Sequence, residues 1–560
     1  SISNWFPHTQ KDTWLYIIEE DKDTMDKYST IINSEKFSTL SLNATTYPKS
    51  LVNWENLLNY LIKTAGPINK TIDGNALRLI TSTYESLLFN FPYLENYHVD
   101  YALLEYKLGN ISNFHKIFKR ALHLHNNRSL VLWISYLRIC NEIVIDTKQL
   151  FKKYETAERY IGLHYHSGVF WMMHLDLLKL RCKTKQRYFI VLRKILEIPL
   201  HSFSNFYALW LSHIDDVRDL SELTYFISED DLLKKLKIDK NYPGRKGPYL
   251  KEAKKAIKKF TKELYMVIQL HVLERYNLFE SKLISQYYTS TDTLYPDVQI
   301  ETWSKYIDYT IELEIPDLIE INFQRALITF ANYEFFWIKY ANWLINISDN
   351  LMSTKHILIQ GLKSSTKKTK IIKLLSQVLV SLNEIDTLEN ILQELDNLYQ
   401  NDIALCEDDE LFWDYIEFGI FIANSSTKSR YEGDMKSLLM SQEFLDMIQK
   451  RLRLPDHIED KNKIIRNMLL LQSKENTKII EENIFKYVLE NTKDDYLSQG
   501  QFWQDYCRLI FFDSNMSYIE KRQYIVKQIW PKIPKNDSTL KSTREFSNMY
   551  LPEDTQLLDI

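Results

Sequence analysis

Glycine is scarce in this chain, with 11 residues among 560, far below the usual share of about 7%. β-rich folds and phosphate-cradling loops need glycine for tight turns and close backbone approach, so both classes lose weight. Cysteine is equally thin. Cys140, Cys182, Cys406 and Cys507 lie far apart, without C-x-x-C or Cys/His finger spacing, so no metal staple or cofactor is expected. Sparse thiols fit a reducing compartment, cytosol or nucleus. Neither sign of charge dominates: the net charge is −4 and the pI about 6.4, so no global basic excess draws the chain to nucleic acid or to an anionic membrane. No stretch approaches the ~20 uncharged apolar residues of a membrane span, and the start lacks the basic and apolar regions of a signal peptide. Sequons at Asn43-Ala44-Thr45 and Asn110-Ile111-Ser112 then read as chance matches. The first residue is Ser1; Met25-Asp26-Lys27 is a plausible natural start, and residues 1–24 are read as a leader of uncertain origin.

Aromatic residues are abundant, at 13% of the chain with 36 Tyr and 12 Trp. Hydrophobic residues at 45% and charged residues at 26% supply buried cores and argue against wholesale disorder. The aromatics recur in a pattern. Trp133–Tyr136, Trp303–Tyr306, Trp337–Tyr340 and Trp503–Tyr506 all read W-x-x-Y, and Trp303 and Trp337 stand 34 residues apart. A period of roughly 20–50 residues marks a repeat protein. Trp133, Tyr136, Leu137 and Cys140 fall at i, i+3, i+4 and i+7, one face of a helix. A second element follows at a fixed distance: Phe118-x-Arg120-Ala121-Leu122 and Phe323-x-Arg325-Ala326-Leu327 share F-x-R-A-L, with looser copies at Leu358–Leu362 and Tyr154–Ala157. The small residue lets two helix backbones approach while its neighbours fill the gap. Each unit is thus predicted to be an antiparallel helix pair.

The core anchors predicted on this basis are Trp54, Tyr101, Trp133, Tyr136, Trp171, Trp210, Trp303, Tyr306, Trp337, Tyr340, Trp413, Trp503 and Tyr506. The gap of 76 residues from Trp337 to Trp413 is about two periods, so a degenerate unit is expected near 371–392. The gap of 90 from Trp413 to Trp503 holds two units and an insertion around 424–440. Between about 221 and 298 the pattern lapses. Asn241-Tyr242-Pro243-Gly244-Arg245-Lys246-Gly247-Pro248 is the strongest breaker cluster, and a long helix over about 249–286 is expected after it. The fold predicted is all-α: a helical-hairpin solenoid in two arms, 25–220 and 299–560, with a non-repeat helical junction at 221–298.

His98-x-x-Tyr101-x-x-x-Glu105, Gly109-Asn110 and Phe118-x-Arg120-Ala121-Leu122 together resemble the half-a-TPR (HAT) repeat of RNA-processing proteins, with His98 in place of the usual Trp. Further segments (Met25–Tyr28, Phe91–Tyr97, Leu192–Phe203 and Tyr242–Tyr249) resemble the fungal pre-mRNA-processing HAT proteins of the U1 small nuclear ribonucleoprotein (snRNP), paralogues of pre-mRNA-processing factor thirty-nine. The likeness spans about 25–552. It implies a nuclear, non-catalytic splicing scaffold. Such a protein forms a homodimer or heterodimer through its C-terminal array and bridges the U1 core, notably the U1 C protein, to auxiliary subunits for 5′ splice-site recognition. A HAT scaffold of another RNA machine, in 3′-end cleavage or ribosomal RNA processing, is the alternative; an α/α-repeat enzyme would need a convergent acid/base or metal cluster that the sequence does not display.

Other patterns have bland readings beside the functional ones. Lys251, Lys254, Lys255, Lys258, Lys259 and Lys262, with Arg245 and Lys246 before them, are candidates for an acidic partner or RNA, or form a solvated helix face. At most weak or indirect RNA contact is expected. His123/His125 and His164/His166 are spaced two apart, which suits no two-ligand face on a helix. The run 407–410 favours a helix N-terminus. At the end of the chain Tyr518, Tyr524, Ile525, Ile529 and Trp530 form an aromatic-rich element. A terminal repeat normally needs a polar outer face, so this element is a candidate dimer interface, with core packing as the other reading.

Overall fold

The computed structural model describes residues 27–228, 246–288, 295–392, 440–453, 458–492 and 494–559, together with 230–231, 234, 413 and 416–421. Among these residues there is no strand, and no helix is long and apolar enough to cross a membrane. The described residues form two compact units, one of 27–340 with 364–366, the other of 341–363 with the residues from 367 onward. The expected leader, the breaker cluster through Arg245, the run 407–410 and nearly all of the insertion at 424–440 lie outside the described residues.

In the first unit, helices pair as the periodicity requires. Leu51–Ala65 packs on Gly74–Asn90, Glu95–Lys107 on Ile111–Leu124, Leu130–Ile143 on Thr147–Ile161, Gly168–Arg181 on Gln186–Ile195, and Asp297–Glu312 on Pro316–Thr329. The turns between them show why the sequence folds this way. Gly109 takes φ +82°, the left-handed conformation that glycine tolerates. Asn110 then donates through Nδ2 to buried Glu105 at 2.8 Å, closing the hairpin. Asn126 and Asn127 also adopt positive φ, as short polar side chains allow. The small residues of the F-x-R-A-L elements, Ala121 and Ala326, are fully buried, as is Ala157.

The long helix is observed at Lys246–Leu278, shorter than the expected 249–286, and yields to a 3-10 turn at Glu280–Lys282. Its Ala253, Ile257, Ile268 and Val272 are buried, and it packs on Phe203–Asp215. The chain then folds back on its own beginning. The helix Pro316–Thr329 packs on Asp297–Glu312 and also on Thr147–Ile161. Arg128 meets it from the earlier hairpins, donating to Asp317 at 3.1 Å and Glu320 at 2.9 Å, and Asn126 donates to Gln324 at 2.8 Å. Enclosure by two neighbours explains why even Asn322, Gln324 and Arg325 of this helix are buried.

In the second unit, Thr369–Ser381 turns at Asn383 into helical residues 385–392, where a degenerate hairpin was expected. Farther on, Gly500–Phe511 packs against Ile458–Leu471 and against the last helix, Asp537–Tyr550. A Cβ on Gly500 would stand 2.2 Å from Ser542 Oγ and 2.4 Å from the Ser538 carbonyl, so only glycine fits this approach.

Candidate protein-interaction surfaces

The anchor rings are structural. Of the thirteen predicted anchors, twelve are buried; Trp413 is half-buried, with Lys463 Nζ 4.3 Å from its ring centroid. A tryptophan can bury its ring cheaply only if the indole N–H finds an acceptor. Several repeats supply one in the turn before the anchor helix. Trp54 donates to the Pro48 carbonyl (2.8 Å), Trp133 to Asn127 (2.6 Å), Trp337 to Ala331 (2.9 Å) and Trp503 to Leu497 (2.7 Å), in each case six residues upstream. His98 shows how the slot accepts a different residue: its Nε2 lies 2.8 Å from the Pro92 carbonyl, again six residues back. Burial pushes the His98 imidazole down to about 4, so the ring is neutral at physiological pH. Trp171 donates to the Gly162 carbonyl at 2.9 Å and Trp210 to Thr261 Oγ1 at 3.1 Å. Trp303 has no acceptor for its Nε1, and instead Arg325 lies over its ring at 5.1 Å.

Four of the anchor tyrosines tie their helix to a carboxylate of the preceding segment, while Tyr136 meets His115 at 2.7 Å. Tyr101 donates to Glu85 at 2.9 Å, Tyr306 to Glu280 at 2.6 Å, Tyr340 to Glu320 at 3.0 Å and Tyr506 to Glu481 at 2.9 Å. In two units the arginine of F-x-R-A-L joins the same carboxylate: Arg120 on Glu85 at 2.9 Å and Arg325 on Glu280 at 2.6 and 2.8 Å. The sequence reading missed this triad. Its signal was present, because Tyr101 to Arg120 and Tyr306 to Arg325 are the same distance apart in the chain.

The Glu280 triad is buried and extended. Arg275 donates to the Tyr306 hydroxyl at 2.9 Å and lies over the Tyr165 ring at 5.0 Å, and His166 Nε2 stands 3.7 Å from the Glu280 carboxylate. Burial pushes the Glu280 carboxyl up, but the Arg325 charge and the hydrogen bonds outweigh it and hold the group well below the usual carboxylate range. His164 is buried beside them and is held well below its usual value by burial and by Arg325. His123 and His125 separate: His125 is buried and hydrogen-bonds the Ala121 carbonyl at 2.8 Å. Among the described residues no group of three or more His, Cys, Asp or Glu could hold a metal ion.

The lysine helix divides between two roles. Lys254 donates to the Asp215 carbonyl at 2.9 Å, and Lys258 pairs with the Asp215 carboxylate. Lys251, Lys255, Lys259 and Lys262 are exposed. The side chains of Arg245 and Lys246 lie outside the described residues.

At the C-terminal end, Ile525 and Ile529 point inward and are buried in the chain's own core. Tyr524 gives its hydroxyl to Glu481, the acceptor of Tyr506, at a π-helical turn spanning Glu481–Phe485. Tyr518 is exposed and Trp530 is half-buried. Trp530 lines a groove of about 420 Å³ with Val526, Pro531, Leu540 and Leu557. The surface this end offers is therefore Tyr518, the Trp530 rim and exposed Ile519, Met549 and Leu557.

Two family models match this arrangement: the PRP39 N-terminal HAT repeat over residues 39–211 and the PRP39 C-terminal HAT repeat over 274–413. The chain is 51% identical over 537 residues to the U1 small nuclear ribonucleoprotein component PRP42 of Saccharomyces cerevisiae, covering 96% of this chain and 99% of that one. It is 22% identical to pre-mRNA-processing factor 39 of Schizosaccharomyces pombe (60% of this chain, 54% of that one) and 23% identical to the human factor of that name (54% and 46%). The buried anchors, paired helices and near full-length match agree, and the chain belongs to the PRP39/PRP42 family of HAT-repeat pre-mRNA-processing proteins.

Proposed function

We propose that this chain is a non-catalytic scaffold subunit of the U1 snRNP in the nucleus, acting in pre-mRNA splicing. The observation that carries the reading is the 51% identity, end to end, with a U1 component, on a framework whose recurring side chains are consumed by packing. A solenoid so built leaves its outer faces free to hold neighbours. In the finer reading the chain dimerises, with itself or a paralogue, through the C-terminal end around Tyr518, Trp530 and Leu540, and bridges the U1 core, through the U1 C protein, to auxiliary subunits for 5′ splice-site recognition. The half-buried groove at Trp530 supports this reading, since it offers apolar surface at the end of the array.

Purification of the tagged full-length protein from nuclear extract tests the assignment. Recovery of U1 RNA and the U1 C protein is expected; recovery of 3′-end cleavage factors or ribosomal RNA precursors in their place would refute it. Sedimentation tests the dimer. Ile519→Asp with Met549→Asp, both at exposed positions, is expected to leave the fold intact and to reduce self-association or paralogue binding. Unchanged association would remove the C-terminal end from the interface.

A further inference from the structure

The long helix Lys246–Leu278 presents an outward line that the chain itself does not use. Its inward face runs through Ala253, Ile257, Thr261, Ile268, Val272 and Arg275, all buried. On the opposite side, Lys255, Lys259, Lys262, Met266, Leu270 and Leu273 follow one another at steps of three and four, which places them along one helical stripe. Lys255, Lys259 and Lys262 are exposed and have no ion-pair partner among the described residues. Met266, Leu270 and Leu273 are 59%, 68% and 46% exposed. Val267 widens the apolar half, and Glu263 and Glu274 border it. From Lys255 to Leu273 the stripe is about 27 Å long at 1.5 Å per residue.

We propose that this stripe is the docking site for an acidic amphipathic helix of a partner protein, its carboxylates opposite Lys255, Lys259 and Lys262 and its apolar residues opposite Met266, Leu270 and Leu273. Charge selects the occupant. Three uncompensated cations in line with three exposed aliphatic side chains require a ligand that is acidic at one end of a strip and apolar at the other. The three-and-four spacing requires that strip to have helical periodicity, so that its ridges fill the grooves of this one. RNA does not fit the apolar half, because aliphatic side chains offer no stacking surface for bases. A second copy of the same stripe, laid antiparallel, would set lysines on leucines.

The test uses the full-length protein and labelled synthetic helices in fluorescence anisotropy. One probe carries a leucine stripe with three Glu at one end of the same face, made in both polarities; a second carries Lys in place of Glu; a third is a uridine oligonucleotide. The acidic probe is expected to bind in one polarity. Leu270→Ser with Leu273→Ser is expected to weaken it about 30-fold, the loss of central apolar contacts. Lys255→Glu with Lys259→Glu and Lys262→Glu is expected to weaken it at least about 10-fold and to invert the salt dependence of binding, since like charges then face each other. All five positions are exposed, so the circular dichroism spectrum and the pull-down of U1 RNA serve as separate controls of folding and of the assignment above. No binding in either polarity, equal binding of acidic and basic probes, tighter binding of the oligonucleotide, or self-association removed by the leucine changes would each overturn the proposal.

Discussion

Replacing Glu280 by Gln probes the joint where the chain folds back on itself. The carboxylate accepts two hydrogen bonds from Arg325, at 2.6 and 2.8 Å, and one from Tyr306 at 2.6 Å, and both charged side chains are nearly inaccessible. The substitution keeps the shape and removes the charge. Arg325 then remains buried with neutral acceptors alone, the new amide oxygen, Gln286 at 2.8 Å and Asn322 at 3.5 Å, and no counter-charge. Stranding one partner of a buried pair costs about 3–5 kcal/mol. With a urea slope at the upper end of about 1–3 kcal/mol per M, the midpoint of the first unit should fall by about 1–2 M. Glu280→Gln combined with Arg325→Met removes both charges and should recover much of the loss, giving a coupling energy of about 2–3 kcal/mol. The carboxyl is depressed in the folded state, so its contribution is complete above the unfolded value near 4.5 and declines only as pH falls below it. Between pH 5 and 8 the Glu280 carboxyl should therefore add no pH dependence of its own. A single-variant loss below about 1 kcal/mol, or equal losses for the single and double variants, would refute the reasoning.

Two further perturbations test the repeats themselves. His98 has its folded value depressed to about 4, so the stability it contributes is complete above the unfolded value near 6.5 and is lost as pH falls from there toward 4, on the order of 3 kcal/mol. His98→Gln, which keeps a donor for the Pro92 carbonyl, should flatten the denaturant midpoint between pH 6.5 and 4.5 relative to the parent; identical slopes would disprove the assignment. Gly500→Ala places a methyl group 2.4 Å from the Ser538 carbonyl, which is backbone and cannot turn aside. It should destabilise the terminal helix Asp537–Tyr550 by about 1–3 kcal/mol, read as faster proteolysis of that helix, and an unchanged cleavage rate would show that the helices part without strain.

The hairpins were legible because ring spacing at i, i+3, i+4 leaves few alternatives to a helix face, and because a small residue between Phe118 or Phe323 and its leucine marks where backbones meet. The tyrosine–arginine spacing was also in the sequence, yet its meaning depended on a third group, Glu85 or Glu280, whose distance along the chain differs between the two units. The C-terminal element was open in the sequence. Tyr524, Ile525, Ile529 and Trp530 could line an interface or pack in the core; the π turn at Ile525–Ile529 sends both isoleucines inward and Glu481 takes the Tyr524 hydroxyl.

The amino-acid order alone determined the helices, the repeat length and nearly all of the buried anchors, since each rests on local periodicity and short-range steric fit, and its motifs carried the family resemblance. Tertiary structure alone decided that the loop at Asn126–Arg128 returns to Pro316–Thr329, that Glu280 and Arg325 share a dry site, and which lysines of one helix are already engaged. Those outcomes depend on contacts between residues far apart in the chain, where burial and the identity of the facing group fix whether a charge is paired, stranded or left for a partner.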